Sequence, residues 1–132
     1  MKCTCGREVK DHPAEPCLDA VFAEKVMGWK VLQATPEAWL IEITPNWSEL
    51  EKYKWKAFNF FACPEFSSNI AHAMEGVEKH KEHLRVNLCW DGTMWGIQVW
   101  EKVDSTDWIG MADEQLGLGI TRALILWAGK EE

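Results

Sequence analysis

Positive charge is scarce in this sequence: 14 lysines and arginines stand against 21 aspartates and glutamates, a net charge of −7. That balance argues against nonspecific nucleic-acid binding, which rests on cations neutralising phosphates. A local basic groove stays open, and the charge also suits solubility. The acidic residues are scattered among lysines, without the dense runs a nucleic-acid mimic would need. Long apolar runs are missing too, and none approaches the length of a membrane span. The opening residues, Met1 to Glu8, lack the apolar stretch of a secretory signal, so the protein is expected to stay in the cytosol where it is made. No HExxH zinc helix, G-x-S-x-G nucleophile elbow, GxxxxGKS/T phosphate loop or GxGxxG dinucleotide loop occurs.

What is present fits one globular domain. The chain has 132 residues, 47% apolar and 27% charged, enough for a core without covalent staples. Nine tryptophans accompany only one tyrosine and five phenylalanines. The five cysteines are an odd number, and in a reducing compartment they read as free thiols or metal ligands.

Residues 1–16 read as a cysteine-containing tail or small appendage, and residues 17–132 as a single domain. A helix is expected over 18–27, with Leu18, Val21, Phe22 and Val26 on one stripe and Gly28 ending it. Strands follow at 29–32 and 38–43. In the segment 44–63, Tyr53, Trp55 and Ala57 alternate with Lys52, Lys54 and Lys56, a strand signature with a cationic face. A second helix is expected over 68–84, capped by Ser67 or Ser68, burying Ile70, Ala73, Met74, Val77 and Leu84. Asp91-Gly92 between two alternating runs predicts a β-hairpin with a type I′ turn, pairing Leu88 with Trp95 and Val86 with Ile97. Both hairpin faces carry apolar residues, as in a sheet covered on both sides. Residues 104–110 read as a loop, and the last helix begins near 113 or 116 and ends at 127.

Three blocks carry a resemblance: Leu18 to Val31, Pro64 to Lys79 with its proline, aromatic, serine, asparagine and isoleucine, and Gly119 to Leu124 around Arg122. They resemble the helices of the phage ABA sandwich domain family. The resemblance implies a three-layer α/β/α sandwich with a mostly antiparallel sheet, a phage origin, and hence a host bacterial cytosol. It implies no established chemistry.

Cys3, Cys5, His12 and Cys17 place four zinc ligands within fifteen residues, and Gly6 helps a tight ligand loop. The single residue between Cys3 and Cys5 is shorter than the usual spacing, so a mobile tail with reduced thiols is the competing reading. His72, His80 and His83 read as a solvated helix face. Cys63 lies near a helix start without a neighbouring histidine, and Cys89 is expected in the core. Ser67, Ser68 and Asn69 either cap a helix or form an anion site at its positive end. Arg122 either pairs within the fold or forks onto a phosphate or carboxylate. Trp39, Trp95 and Trp127 fall on expected core stripes, whereas Trp47, Trp55, Trp90, Trp100 and Trp108 lie at strand ends or in irregular segments.

Exposed indoles beside cations suit nucleotide stacking and phosphate pairing. The leading expectation is a non-catalytic phage binding protein, acting in counter-defence by sequestering a nucleotide-type immune signal. Its site would draw on Lys54, Trp55, Lys56, Ser67, Ser68, Asn69, Arg85, Trp100 and Arg122. The alternative is a protein-interaction module or homo-oligomer acting on a host protein, its tryptophans at the interface. A small hydrolase ranks last, because the acidic residues and histidines form no catalytic spacing.

Overall fold

The computed structural model describes residues 1–34, 39–41, 65–102 and 108–129. The expected strand around Trp55, with Lys54, Lys56, Trp47 and Cys63, lies outside the described residues. Helix α1 spans Pro16–Lys25, with proline in its first turn, where a missing N–H costs nothing. Strands β1 (Val31–Ala34) and β2 (Trp39–Ile41) pair antiparallel. Helix α2 is Ile70–Lys79, and helix α3 is Leu116–Gly129. Between them, β3 (Leu84–Trp90), β4 (Trp95–Glu101) and β5 (Trp108–Asp113) form an antiparallel sheet in that order. Helix α3 packs on α1 and α2 and also on β4 and β5, giving the mixed helix-and-sheet architecture of an ABA sandwich.

Buried Leu18, Phe22, Val26, Phe66, Ile97, Val99, Ile120 and Leu124 belong to one core. Gly28, at φ 75°, lets the chain leave α1 in the left-handed region, and the Trp29 amide then donates back to the Ala23 carbonyl at 2.9 Å. Trp29 itself is buried. The segment before α2 is held by three contacts. Phe66 stacks on Phe22 with centroids 4.3 Å apart, the Ser67 amide donates to buried Asp19 at 2.7 Å, and the Thr121 hydroxyl donates to the Phe66 carbonyl at 2.7 Å. Burial pushes the Asp19 carboxyl up to about 7, against the opposing hydrogen bond from the Ser67 amide.

Four expectations change. Residues 108–110 are strand, not loop: Ile109, Met111 and Asp113 turn toward the helices, while Trp108, Gly110 and Ala112 alternate outward. The small outward residues hide the usual apolar alternation. The hairpin connection is a four-residue loop, Asp91 to Met94, so Leu88 pairs with Ile97 and Val86 with Val99. The Asp91 carboxylate accepts from the Thr93 and Met94 amides, each at 2.8 Å, which favours this loop over a two-residue turn. The two-residue shift preserves each side chain's face. Helix α2 stops at Lys79, and its closest packing uses Ala73 and Gly76, leaving Ile70 and Met74 exposed. Lastly, Cys89 is exposed and the outward face of β3–β5 carries exposed Arg85, Asn87, Trp108 and Gly110.

Candidate metal centre and sheet face

The N-terminal segment folds back on itself before α1 begins. Lys2 and Glu8 form an antiparallel bridge. Inside it, the Gly6 amide donates to the Cys3 carbonyl and the Cys3 amide to the Arg7 carbonyl, each at 2.9 Å. Gly6 sits at φ 90°, a conformation that a side chain would strain, and this turn brings Cys3 and Cys5 to one side despite their short spacing. A 3-10 turn, Val9–Asp11, then delivers His12, and the first turn of α1 delivers Cys17.

The ligand atoms of Cys3, Cys5, His12 and Cys17 all lie within 4.8 Å of one another. His12 Nε2 is 3.1 Å from Cys5 Sγ and 3.3 Å from Cys17 Sγ. His12 Nδ1 lies 2.7 Å from the Pro13 carbonyl. A carbonyl only accepts, so Nδ1 carries the proton and the Nε2 lone pair points into the sulfur cluster. This is the second-shell device by which metal-binding histidines are oriented. His12 and Cys17 are fully buried, and Cys3 nearly so. The Cys5 thiol is lowered to about 7, first by the Arg7 amide donating to it and then by its neighbours in the cluster, against the pull of burial. Burial, followed by the nearby Cys3 and Cys5, pushes the Cys17 thiol up.

The donor set fits one metal ion well. Three cysteine sulfurs and one imidazole nitrogen gathered within 4.8 Å are the donor types and number that a tetrahedral zinc would take. Three thiolates and one imidazole complete the coordination with no open position, as in a structural site rather than a catalytic one. Arg122 joins the centre to the sandwich. Its Nε donates to the His12 carbonyl at 2.8 Å, and its Nη1 pairs with Asp113 at the end of β5. Asp113 also accepts from the Gln115 amide at 2.8 Å, just before α3. Val9 is fully buried, and its turn packs on α3.

The other expected residues are placed as follows. Asn69 caps α2, accepting from the Ala71 and His72 amides at 3.0 and 3.3 Å. Ser67 is buried against Asp19, and Ser68 is exposed. The side chains of Asn69 and Arg122 are thus engaged within the fold, whereas the buried Ser67 hydroxyl has no hydrogen-bond partner among the described residues. The helix histidines do more than face solvent: His80 Nε2 is 2.6 Å from the Val26 carbonyl, its ring meets the edge of Trp127, and His72 Nδ1 accepts from the Glu65 amide at 2.9 Å.

Arg85 and Trp100 are brought together. They are register partners on β3 and β4, and the guanidinium carbon lies 5.9 Å from the indole centroid. Trp108 is the next partner across, on β5, and is 53% exposed. The three side chains therefore form one row on the outward sheet face. Beside it lies an open cavity of about 600 Å³, floored by Cys89, Gly96, Gly110 and Ala112 and bordered by Asn87 and Gln98. Sequence reading found Arg85 and Trp100 but missed this cavity, because its small residues become a floor only once β5 is recognised as a strand.

The sandwich closes a cysteine–histidine knuckle onto its last helix, and among the described residues Arg85, Asn87, Cys89, Trp108 and Gly110 are exposed on one face of β3–β5. A family model, the phage ABA sandwich domain, matches residues 20–125, and the chain belongs to that family. It is accordingly a phage protein of a family not known for enzymes. No curated protein and no solved structure matches it. Among the described residues, no helix is long and apolar enough to cross a membrane.

Proposed function

We propose that this chain is a non-catalytic phage binding protein that sequesters a nucleotide-type small molecule in counter-defence, with one structural zinc ion at Cys3, Cys5, His12 and Cys17. The observation that carries the binding reading is the row Arg85–Trp100–Trp108, a guanidinium over one indole with a second indole next in the row on an outward face. Aromatic faces take a base and the guanidinium takes a phosphate. Lys54, Trp55 and Lys56 add the same chemistry to the proposal from outside the described residues. Zinc is supported by the closed donor set and by the orientation of His12. The ion supplies cross-linking of the N-terminal segment when bound, and no reaction chemistry.

Tryptophan fluorescence titrated with cyclic and ADP-ribose-type nucleotides tests the binding reading; saturable quenching is expected, and silence at high micromolar concentration overturns it. Metal analysis of protein purified without added metal is expected to give one zinc per chain, and a ratio near zero overturns the ion. A second reading, an interface with a host protein or another copy of the chain, is favoured by the half-exposed Trp90 and Trp108. Light scattering and capture from a bacterial host test it; a monomer that captures nothing contradicts it.

A further inference from the structure

We infer that the outward face of β3–β5 is the ligand site and that its ligand is a planar nucleobase carrying a phosphate two strand residues away. This rests on the nucleotide-binding reading above and gives that reading a location and a chemistry.

The face is built in three rows. Arg85, Trp100 and Trp108 form the first; Asn87, Gln98 and Gly110 the second; Cys89, Gly96 and Ala112 the third. Small residues in the second and third rows expose backbone and create the floor of the cavity, whose volume of about 600 Å³ lies in the range of small-molecule sites. Trp108 is laid down over Gly110: a Cβ there would meet its ring at 2.6 Å. The indole therefore walls the cavity with a flat apolar surface, and a flat ligand gains most from it.

The polar edge is specific. Asn87 Nδ2 donates to Gln98 Oε1 at 3.1 Å. That bond orients both amides and leaves Asn87 Oδ1 as an acceptor and Gln98 Nε2 as a donor on the same cross-strand pair. Adjacent donor and acceptor atoms are what a nucleobase edge presents. Arg85 lies two residues along β3 from Asn87, about 7 Å away at the strand rise, a distance a ribose spans between base and phosphate. Among the described residues in these three rows Arg85 is the cation, so the phosphate is placed at that end by charge.

The experiment uses the full chain with AMP and GMP as probes and adenosine as the uncharged control. Binding is read by tryptophan quenching and, independently, by protection of exposed Cys89 from alkylation, measured on its own peptide by mass spectrometry. AMP or GMP is expected to saturate and to protect Cys89. Gly96→Leu fills the floor; its Cβ meets the Cys89 carbonyl at 3.6 Å, an ordinary contact, and an unchanged melting temperature is expected to show that the fold is kept. The variant is expected to abolish both signals. Trp108→Ala is expected to weaken all probes by about tenfold or more. Arg85→Gln is expected to weaken the nucleotides by about tenfold while leaving adenosine unchanged. Nucleotide binding that persists in Gly96→Leu with Cys89 still reactive overturns the location and leaves the binding reading standing. Silence of the wild type toward AMP and GMP overturns the inference, while the binding reading stands or falls with the cyclic and ADP-ribose-type nucleotides. Cys89 protection that rises with protein concentration alone assigns the face to a second copy and overturns the inference.

Discussion

Asp19 shows how much of this fold rests on single polar anchors. Its carboxyl is buried and receives the Ser67 amide across 48 residues of sequence, fixing the segment that launches α2. Asp19→Ala strands a buried N–H and is expected to cost about 1–3 kcal/mol in chemical denaturation, whereas Asp19→Asn keeps an acceptor and costs less. Equal losses for both variants would contradict that role. At this scale the sequence was legible where a residue acts locally. Gly28 ends α1 as expected, and the cap of α2 falls within the Ser67–Asn69 cluster, although Asn69 and not Ser67 or Ser68 supplies it. It was not legible where the partner is remote. Arg122 reaches the His12 carbonyl 110 residues away, and nothing in its own neighbourhood announces that contact. Cys89 read as core, because strand position alone does not say which face is covered.

Among elements, α2 is the informative case. Its apolar residues at helical spacing marked Ile70, Ala73 and Met74 for burial; Ala73 is buried, but Ile70 and Met74 are exposed and Gly76 makes the close contact instead. A Cβ at Gly76 would fall 2.4 Å from Phe22 Cζ and 2.9 Å from Val26 Cγ1, so the helix approaches α1 only because that atom is missing. Gly76→Ala raises intrinsic helix propensity by about 1 kcal/mol, yet overpacking of about 1–3 kcal/mol should win. A lower melting temperature is expected; a higher one would show that the helices move apart freely. The hairpin gives a second test. Asp91 accepts three hydrogen bonds within its loop, and these hold its carboxyl below the usual range. Asp91→Ala is expected to loosen the loop, with increased amide exchange at Thr93 and Met94 while the Val86–Val99 pairing stays protected. Loss of protection throughout β3 and β4 would contradict a local role. The hairpin itself was plain in the sequence; its register was not, since Asp91-Gly92 also suits a shorter turn.

For the whole molecule, the cysteine–histidine knuckle packs against the sandwich. Residues 1–16 read as an appendage from composition, yet they supply buried Cys3, Val9 and His12, and Arg122 with Asp113 ties them to α3 and β5. All four candidate metal ligands were visible as residue types in the sequence. Their convergence was not, because it depends on the Gly6 turn and on burial against the last helix. Since metal affinity is folding energy in such sites, removing zinc with a strong chelator is expected to lower the melting temperature by roughly 10 °C or more. His12→Ala should start at the lower temperature and show no further drop. An unchanged melting curve for the wild type would mean that the knuckle holds together without an ion.

X-ray absorption at the zinc edge, on protein as isolated, examines the coordination directly. The expected shell has three sulfurs at about 2.3 Å and one nitrogen at about 2.0 Å. A shell dominated by oxygen, or no zinc signal from cells grown with ample zinc, would contradict the account.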